Sequence, residues 1–187
     1  MKVSIGVSNR HVHLCEEHLK ILFGENFELE KKNDLTQPNQ FASTSVVIIK
    51  TNKSEITNVR VLGPIREYTQ VEISKTDSYK LGIEPPVRDS GDLTGSSPIT
   101  IIGPNGSIDL NEGCIIPTRH IHILPSQMKM YGLEGKDVVS VSVGGEKGGI
   151  INNVHLKVSD ESFFELHLDT DDANAHLIKN KDIGEII

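Results

Sequence analysis

Arg10-His11-Val12-His13-Leu14 recurs in the same chain as Arg119-His120-Ile121-His122-Ile123. Two histidines one residue apart, set among alternating aliphatics, read as a β-strand whose residues i and i+2 share a face. Each copy is followed by a short helical stretch that closes on glycine, over 15–24 after the first and 124–132 after the second. Further on, Val71-Glu72-Ile73-Ser74-Lys75-Thr76-Asp77 lines up with Leu166-His167-Leu168-Asp169-Thr170-Asp171-Asp172, each an alternating strand that runs into a helix start. The two alignments fall in the same order, so the chain reads as an internal repeat in which Glu72 and His167 are equivalent.

Around that repeat, strand signals dominate. The spacing predicts strands over 45–50, 55–62, 70–74, 99–102, 113–116, 137–143, 150–158 and 164–168. Short helices are expected over 16–23, 77–81, 126–131 and 171–178, the last with Thr170 as its N-cap. Gly103-Pro104-Asn105-Gly106 predicts a hairpin turn built on positive-φ residues, and the glycine run 144–149 a second loop between strands. Residues 25–41 read as an irregular surface loop, and 75–98 as a second long connection of the kind that often carries function. Many short strands with few short helices point to barrels or sandwiches rather than a doubly wound sheet.

The 187 residues suffice for one domain or two small ones with real cores. No run of 18 apolar residues is present, which argues against a membrane-spanning helix. With 19 Lys and Arg against 26 Asp and Glu, the net charge of −7 argues against general nucleic-acid binding. Cys15 and Cys114 are too few for a disulfide framework, and Met1–Gly6 is no secretory signal, so the expected compartment is reducing and cytoplasmic.

Two imidazoles on one strand face can close on a single cation, and a third ligand from a neighbouring strand leaves an open position for water or substrate. The repeat therefore predicts two metal sets: His11, His13 and Glu72, and His120, His122 and His167. The ligand types suit zinc, and geometry alone leaves cobalt and iron open. A single His-x-His is commonly just a half-buried strand; two copies with matching flanks and matching third residues favour the metal. Arg66 follows the Gly63-Pro64 turn and precedes Glu72 by six residues. A guanidinium beside a metal site presents a fork suited to phosphate or carboxylate. Arg10 and Arg119 have the opposite strand parity to the histidines and read as structural or rim residues. Cys15 is read as a helix N-cap or small buried residue, with a ligand or nucleophile as the other possibility, and Cys114 as core. His18, His155 and His176 lack partners at ligand spacing, and Asp92 and Glu112 are possible general bases.

The segments 8–14 (SNRHVHL), 60–74 (RVLGPIREYTQVEIS), 85–96 (PPVRDSGDLTGS) and 117–123 (PTRHIHI) resemble, in this order, the PduL-type phosphotransacylases, or phosphate propanoyltransferases. The resemblance implies a mainly β fold of two short, pseudo-repeated β-barrels capped by small helices. It implies that residues 1–9 join 118–187 in one barrel, that 10–117 form the other, and that the active site lies at their interface. It implies transfer of an acyl group, propanoyl or acetyl, between coenzyme A and inorganic phosphate. The substrates and products would be acyl-CoA, CoA, phosphate and acyl phosphate. Two Zn(2+) ions per chain would be held by the same six residues, and Arg66 would bind phosphate. Arg88 and the loop 90–97 are candidates for binding CoA, and a homodimer is implied at family level. Family members belong to a propanediol-degradation, microcompartment-type pathway. Many carry an N-terminal extension that directs them into the compartment, and position 1 here directly precedes the first strand, so a cytoplasmic enzyme without that targeting is expected. Two rival readings share the six ligands: a two-zinc hydrolase that activates water, and a non-catalytic fold held by structural zinc. The second fits worse, because structural zinc sites usually have four ligands and are often cysteine-rich.

Overall fold

A computed structural model describes all residues, 1–187, and divides into two compact units. One comprises Met1–Asn9 with Thr118–Ile187, the other Arg10–Pro117. Each is built on a closed ring of six strands with its own hydrophobic core.

In the Arg10–Pro117 unit the ring runs β4 (Phe41–Lys50), β5 (Glu55–Arg66), β2 (His11–Cys15), β6 (Gln70–Glu72), β9 (Ser107–Pro117), β8 (Ser97–Ile102) and back to β4. Two small strands lie off the ring: β3 (Lys31–Asp34) on β4 and β7 (Val87–Arg88) on β9. Strand alternation fills the interior. Ser43, Ser45, Val47 and Ile49 of β4 point inward, as do Val59 and Val61 of β5. The buried Ser43 hydroxyl donates to the Val61 carbonyl at 2.7 Å, so a polar side chain is accommodated inside the barrel wall. Helices α1 (Glu16–Phe23) and α2 (Lys75–Leu81) cap the unit. Ser74 and Asp77 form a capping box on α2, and Gly82 at φ 67° closes it in the left-handed region.

In the other unit the ring runs β1 (Lys2–Ser8), β13 (Glu165–Asp169), β10 (His120–Ile123), β12 (Gly149–Val158), β11 (Val138–Val143), β14 (Ile183–Ile186) and back to β1. Its helices are α3 (Pro125–Met130) and α4 (Thr170–Ala175). The chain passes from this unit into the other after β1 and returns after β9. Each crossing thus comes just before a His-x-His strand, β2 or β10.

The architecture is the mainly β, two-barrel fold with small helices that the sequence led us to expect. Three local readings are corrected. The 25–41 segment holds strand β3 and the first residue of β4; the alternation cue failed because all four residues of β3 are exposed. The N-cap of α4 is Asp169, whose carboxylate accepts from the Asp172 N–H at 2.8 Å, and not Thr170. That is the position of Ser74 in the repeat, so the alignment was the better guide. The 103–106 turn forms, with the Gly103 N–H donating to the Gly106 carbonyl at 2.9 Å, but neither glycine has a positive φ. Gly103 is required by close approach: a Cβ there would sit 2.5 Å from the Leu22 carbonyl oxygen.

Candidate metal centres

Strand register brings the expected ligands together. His11 of β2 lies directly opposite Glu72 of β6, and His120 of β10 directly opposite His167 of β13. Each second histidine, His13 or His122, is two residues along the same strand and shares that face. In each set, His11, His13 and Glu72 or His120, His122 and His167, one donor atom per residue lies within 4.8 Å of the others.

The donor chemistry fits a cation. In the first set His11 Nε2 lies 3.3 Å from a Glu72 carboxylate oxygen, and all three residues are buried. In the second, the His120 Nδ1–H donates to the Thr118 carbonyl at 2.9 Å. A neutral His120 then presents an unprotonated Nε2, which faces His122 Nε2 at 3.2 Å. Three-donor sets of nitrogen and carboxylate oxygen are the open pattern that leaves a position for water or substrate.

Both sets are braced from behind in the same way. Arg10 grips Asp77 through Nε and Nη2, each at 2.8 Å. Arg119 grips Asp172 through Nε at 2.8 Å and Nη2 at 2.6 Å. Each aspartate holds its arginine above the ordinary guanidinium pKa, chiefly by hydrogen bonding. These two-pronged pairs tie the residue before each His-x-His to the helix after each third ligand, so Arg10 and Arg119 are the structural residues their strand parity suggested.

Arg66 lies at the end of β5, paired in register with Cys15. Its Nη1 donates to Ser90 Oγ at 3.1 Å, and Gln70 Nε2 reaches the same oxygen at 2.9 Å. Gln70 Nε2 also donates to the Glu72 carboxylate. A hydrogen-bonded line therefore connects the guanidinium to the first metal set through Ser90, which lies on the long 75–98 connection. Gln70, Thr69 and Glu165 were not found from sequence, and Ser90 was named only within the loop 90–97 as a candidate for CoA. Gln70 and Glu165 were within reach, since each has the strand parity of the third ligand two residues on.

The other sequence candidates fall into supporting places. Cys15 is the N-cap residue of α1, but its thiol makes no cap bond; Thr69 Oγ1 accepts its backbone N–H at 3.0 Å and lies 2.8 Å from His18 Nδ1. Burial, with a smaller contribution from Asp77, pushes the Cys114 thiol up to about 12, as befits a core residue. His176 Nδ1 bonds the Lys147 carbonyl at 3.0 Å, and His155 lies opposite His120 on β12. Asp92 lies 3.4 Å from Arg88, and Glu112 accepts the Gly95 N–H at 2.9 Å, so both brace the loop 88–96. No helix is long and apolar enough to cross a membrane.

A family description of phosphate propanoyltransferase matches residues 4–179, nearly the whole chain and all six candidate ligands. The chain belongs to the phosphate propanoyltransferase family. Among curated relatives, the phosphate propanoyltransferase of Thermotoga maritima is 48% identical over 186 residues, covering 99% of this chain and 89% of the relative. That of Priestia megaterium is 48% identical over 182 residues, 97% of this chain and 84% of the relative. That of Rhodopseudomonas palustris is 45% identical over 185 residues, 99% and 82% of the two chains. Phosphate propanoyltransferases are phosphate acyltransferases, so the family places the chain among enzymes that join an acyl group to phosphate.

Proposed function

We propose that this protein is a zinc-dependent phosphate acyltransferase that interconverts a short acyl-CoA, propanoyl or acetyl, and phosphate with acyl phosphate and CoA. The observation that carries this reading is the line Arg66–Ser90–Gln70–Glu72, which ties an anion-binding fork to a metal-ligand set. Family membership supplies the reaction class.

His11, His13 and Glu72 would hold one zinc ion, and His120, His122 and His167 the other. When bound, the metal supplies Lewis-acid stabilisation of developing negative charge. Arg66 grips the phosphate through two parallel N–H donors and turns one phosphate oxygen toward the thioester carbonyl carbon. Ser90 holds the guanidinium in place. The new C–O bond forms at that carbon as the C–S bond breaks, and CoA leaves as a thiolate that takes up the proton that hydrogen phosphate gives up. No acyl-enzyme is needed, and the Cys114 thiol is buried in the core with its pKa pushed up to about 12.

The test is release of CoA from acetyl-CoA and propanoyl-CoA, with and without phosphate, alongside elemental analysis of the protein. The expected result is about two zinc ions per chain, on the two three-donor sets, and CoA release that requires phosphate and yields acyl phosphate. Phosphate-independent release with free acid as product would overturn this reading in favour of the two-zinc hydrolase.

A further inference from the structure

The residue two positions before each third ligand differs between the two copies, and it differs together with the ligand. In one copy Gln70 precedes Glu72; in the other Glu165 precedes His167. Register confirms the equivalence: Gln70 lies opposite His13, and Glu165 opposite His122. Both are buried, Gln70 at 0% and Glu165 at 3% exposure.

Their contacts are complementary. Gln70 Oε1 accepts the Gly91 N–H at 2.8 Å, which fixes the amide so that its NH2 faces the Glu72 carboxylate and donates to it. Glu165 Oε2 lies 2.8 Å from His167 Nε2, where a carboxylate accepts an imidazole N–H. Backbone packing holds that pair together. A Cβ on Gly6 would lie 3.1 Å from both the Glu165 carboxyl and the His167 ring, so β1 passes closely over them.

We propose that this position is a second component of each metal centre, matched to its ligand: Gln70 supplies a donor to a carboxylate ligand, and Glu165 supplies an acceptor to an imidazole ligand. Gln70 and Glu165 are positioning residues. Each orients a ligand and sets its basicity, as outer partners of metal-bound histidines and carboxylates do. The match also equalises charge. Each centre contains one carboxylate, Glu72 as a ligand in one and Glu165 beside the ligand in the other, so two chemically different sets offer a dication the same compensation. This inference rests on the zinc reading above and goes beyond its six ligands.

The test titrates zinc from the full-length protein with a chromophoric chelator and follows folding by circular dichroism. Wild type should release two zinc ions. Glu165→Ala and Gln70→Ala should each release one of the two at about 10–100-fold weaker affinity, leaving the other unchanged. Glu165→Gln should retain more affinity than Glu165→Ala, because an amide oxygen still accepts. Gln70→Glu should be worse than Gln70→Ala, because it sets one carboxylate against another. The sharpest arm exchanges the pairs. Glu72→His combined with Gln70→Glu should hold zinc at least tenfold tighter than Glu72→His alone, and His167→Glu combined with Glu165→Gln tighter than His167→Glu alone. The near-isosteric variants guard against a simple failure to fold. Wild-type affinity in both alanine variants, or paired exchanges no better than the single ligand changes, would overturn the matching rule while leaving two bound zincs intact. A wild-type protein that holds no zinc would overturn the metal reading itself, and the matching rule with it.

Discussion

The two barrels are wired alike, strand for strand. In each, the His-x-His strand runs antiparallel to the third-ligand strand and parallel to a long strand on its other side: β2 with β6 and β5, β10 with β13 and β12. In each, the strand before the crossover is parallel to the third-ligand strand, β9 with β6 and β1 with β13. The arginine–aspartate braces are equivalent as well. The difference lies at the end of the long strand. Arg60 of β5 and His155 of β12 face the equivalent residues His11 and His120, which aligns Gly63 with Val158. There β12 stops, whereas β5 continues through Pro64 and Ile65 to Arg66. The shared frame brings three donor residues together in each copy, and in one copy the long strand runs on to Arg66.

The largest expected effect tests whether the two centres are separate. His13→Ala and His122→Ala should each remove about one zinc per chain and leave the other. Losing a Lewis acid worth several kcal/mol should lower kcat/KM by at least about a hundredfold in each case. Elemental analysis and steady-state kinetics on the purified variants decide it. If either change strips both metals from a protein that stays folded, the two copies share ligands and are not separate centres.

Arg66 comes next, because it exists in one copy only. Charge-assisted hydrogen bonds to an anion contribute about 1.5–3 kcal/mol each, so Arg66→Ala should cost at least about tenfold in kcat/KM for phosphate. The KM for acyl-CoA should move less, and zinc content should not change. Arg66→Lys should recover little, because a point charge does not reproduce the fork. Phosphate saturation curves that overlay wild type would remove Arg66 from the site and reopen the choice among Arg10, Arg88 and Arg119.

The residues behind these two effects leave unequal traces in the sequence. The two clusters of donor residues could be grouped because zinc is typically held by His, Cys or carboxylate, and their strand spacing is rigid. Glu72 and His167 were reachable only through the repeat, since a lone Glu or His on a strand carries no pattern. Gln70 and Ser90 left less trace: an amide and a hydroxyl occur everywhere, and Ser90 reaches Arg66 from 24 residues away through a loop with no periodicity. The exposed strand β3 was hidden for a similar reason, because all four of its residues face solvent and no alternation records which face is inside. Periodicity recorded what is buried, while loop-mediated hydrogen bonds left no comparable mark.

A smaller effect separates the two braces. The Asp77 side chain is 5% exposed and that of Asp172 is 23%. Asp77→Asn removes the charge from a buried two-pronged pair and weakens the capping box of α2, and should cost about 1.5–3 kcal/mol of stability. Asp172→Asn, in a wetter setting, should cost about 1 kcal/mol or less. Urea denaturation of the two variants, read against wild type, gives the order directly. An Asp172→Asn penalty equal to or larger than that of Asp77→Asn would mean that burial does not set the strength of these braces.

The smallest expected effect concerns Cys15. Its counterpart in the other copy, the N-cap residue of α3, is Leu124, which has no nucleophile and no ligand atom. A frame that works with leucine in one copy does not need a thiol in the other. The contacts of Cys15 point the same way, since its backbone N–H is bonded to Thr69 and its backbone pairs with Arg66, and serine would keep both. Serine is also a better N-cap than cysteine. Cys15→Ser should therefore keep activity within about threefold of wild type, well under 1 kcal/mol of barrier. Alkylation gives a second readout. Iodoacetamide should label native wild type once, at half-buried Cys15, and leave Cys15→Ser unlabelled, because Cys114 is buried with its thiol pushed up to about 12. An activity loss beyond about a hundredfold, roughly 2.7 kcal/mol, would instead make the thiol a nucleophile or a metal ligand, and the first centre would then differ from the second by more than its third ligand and its arginine.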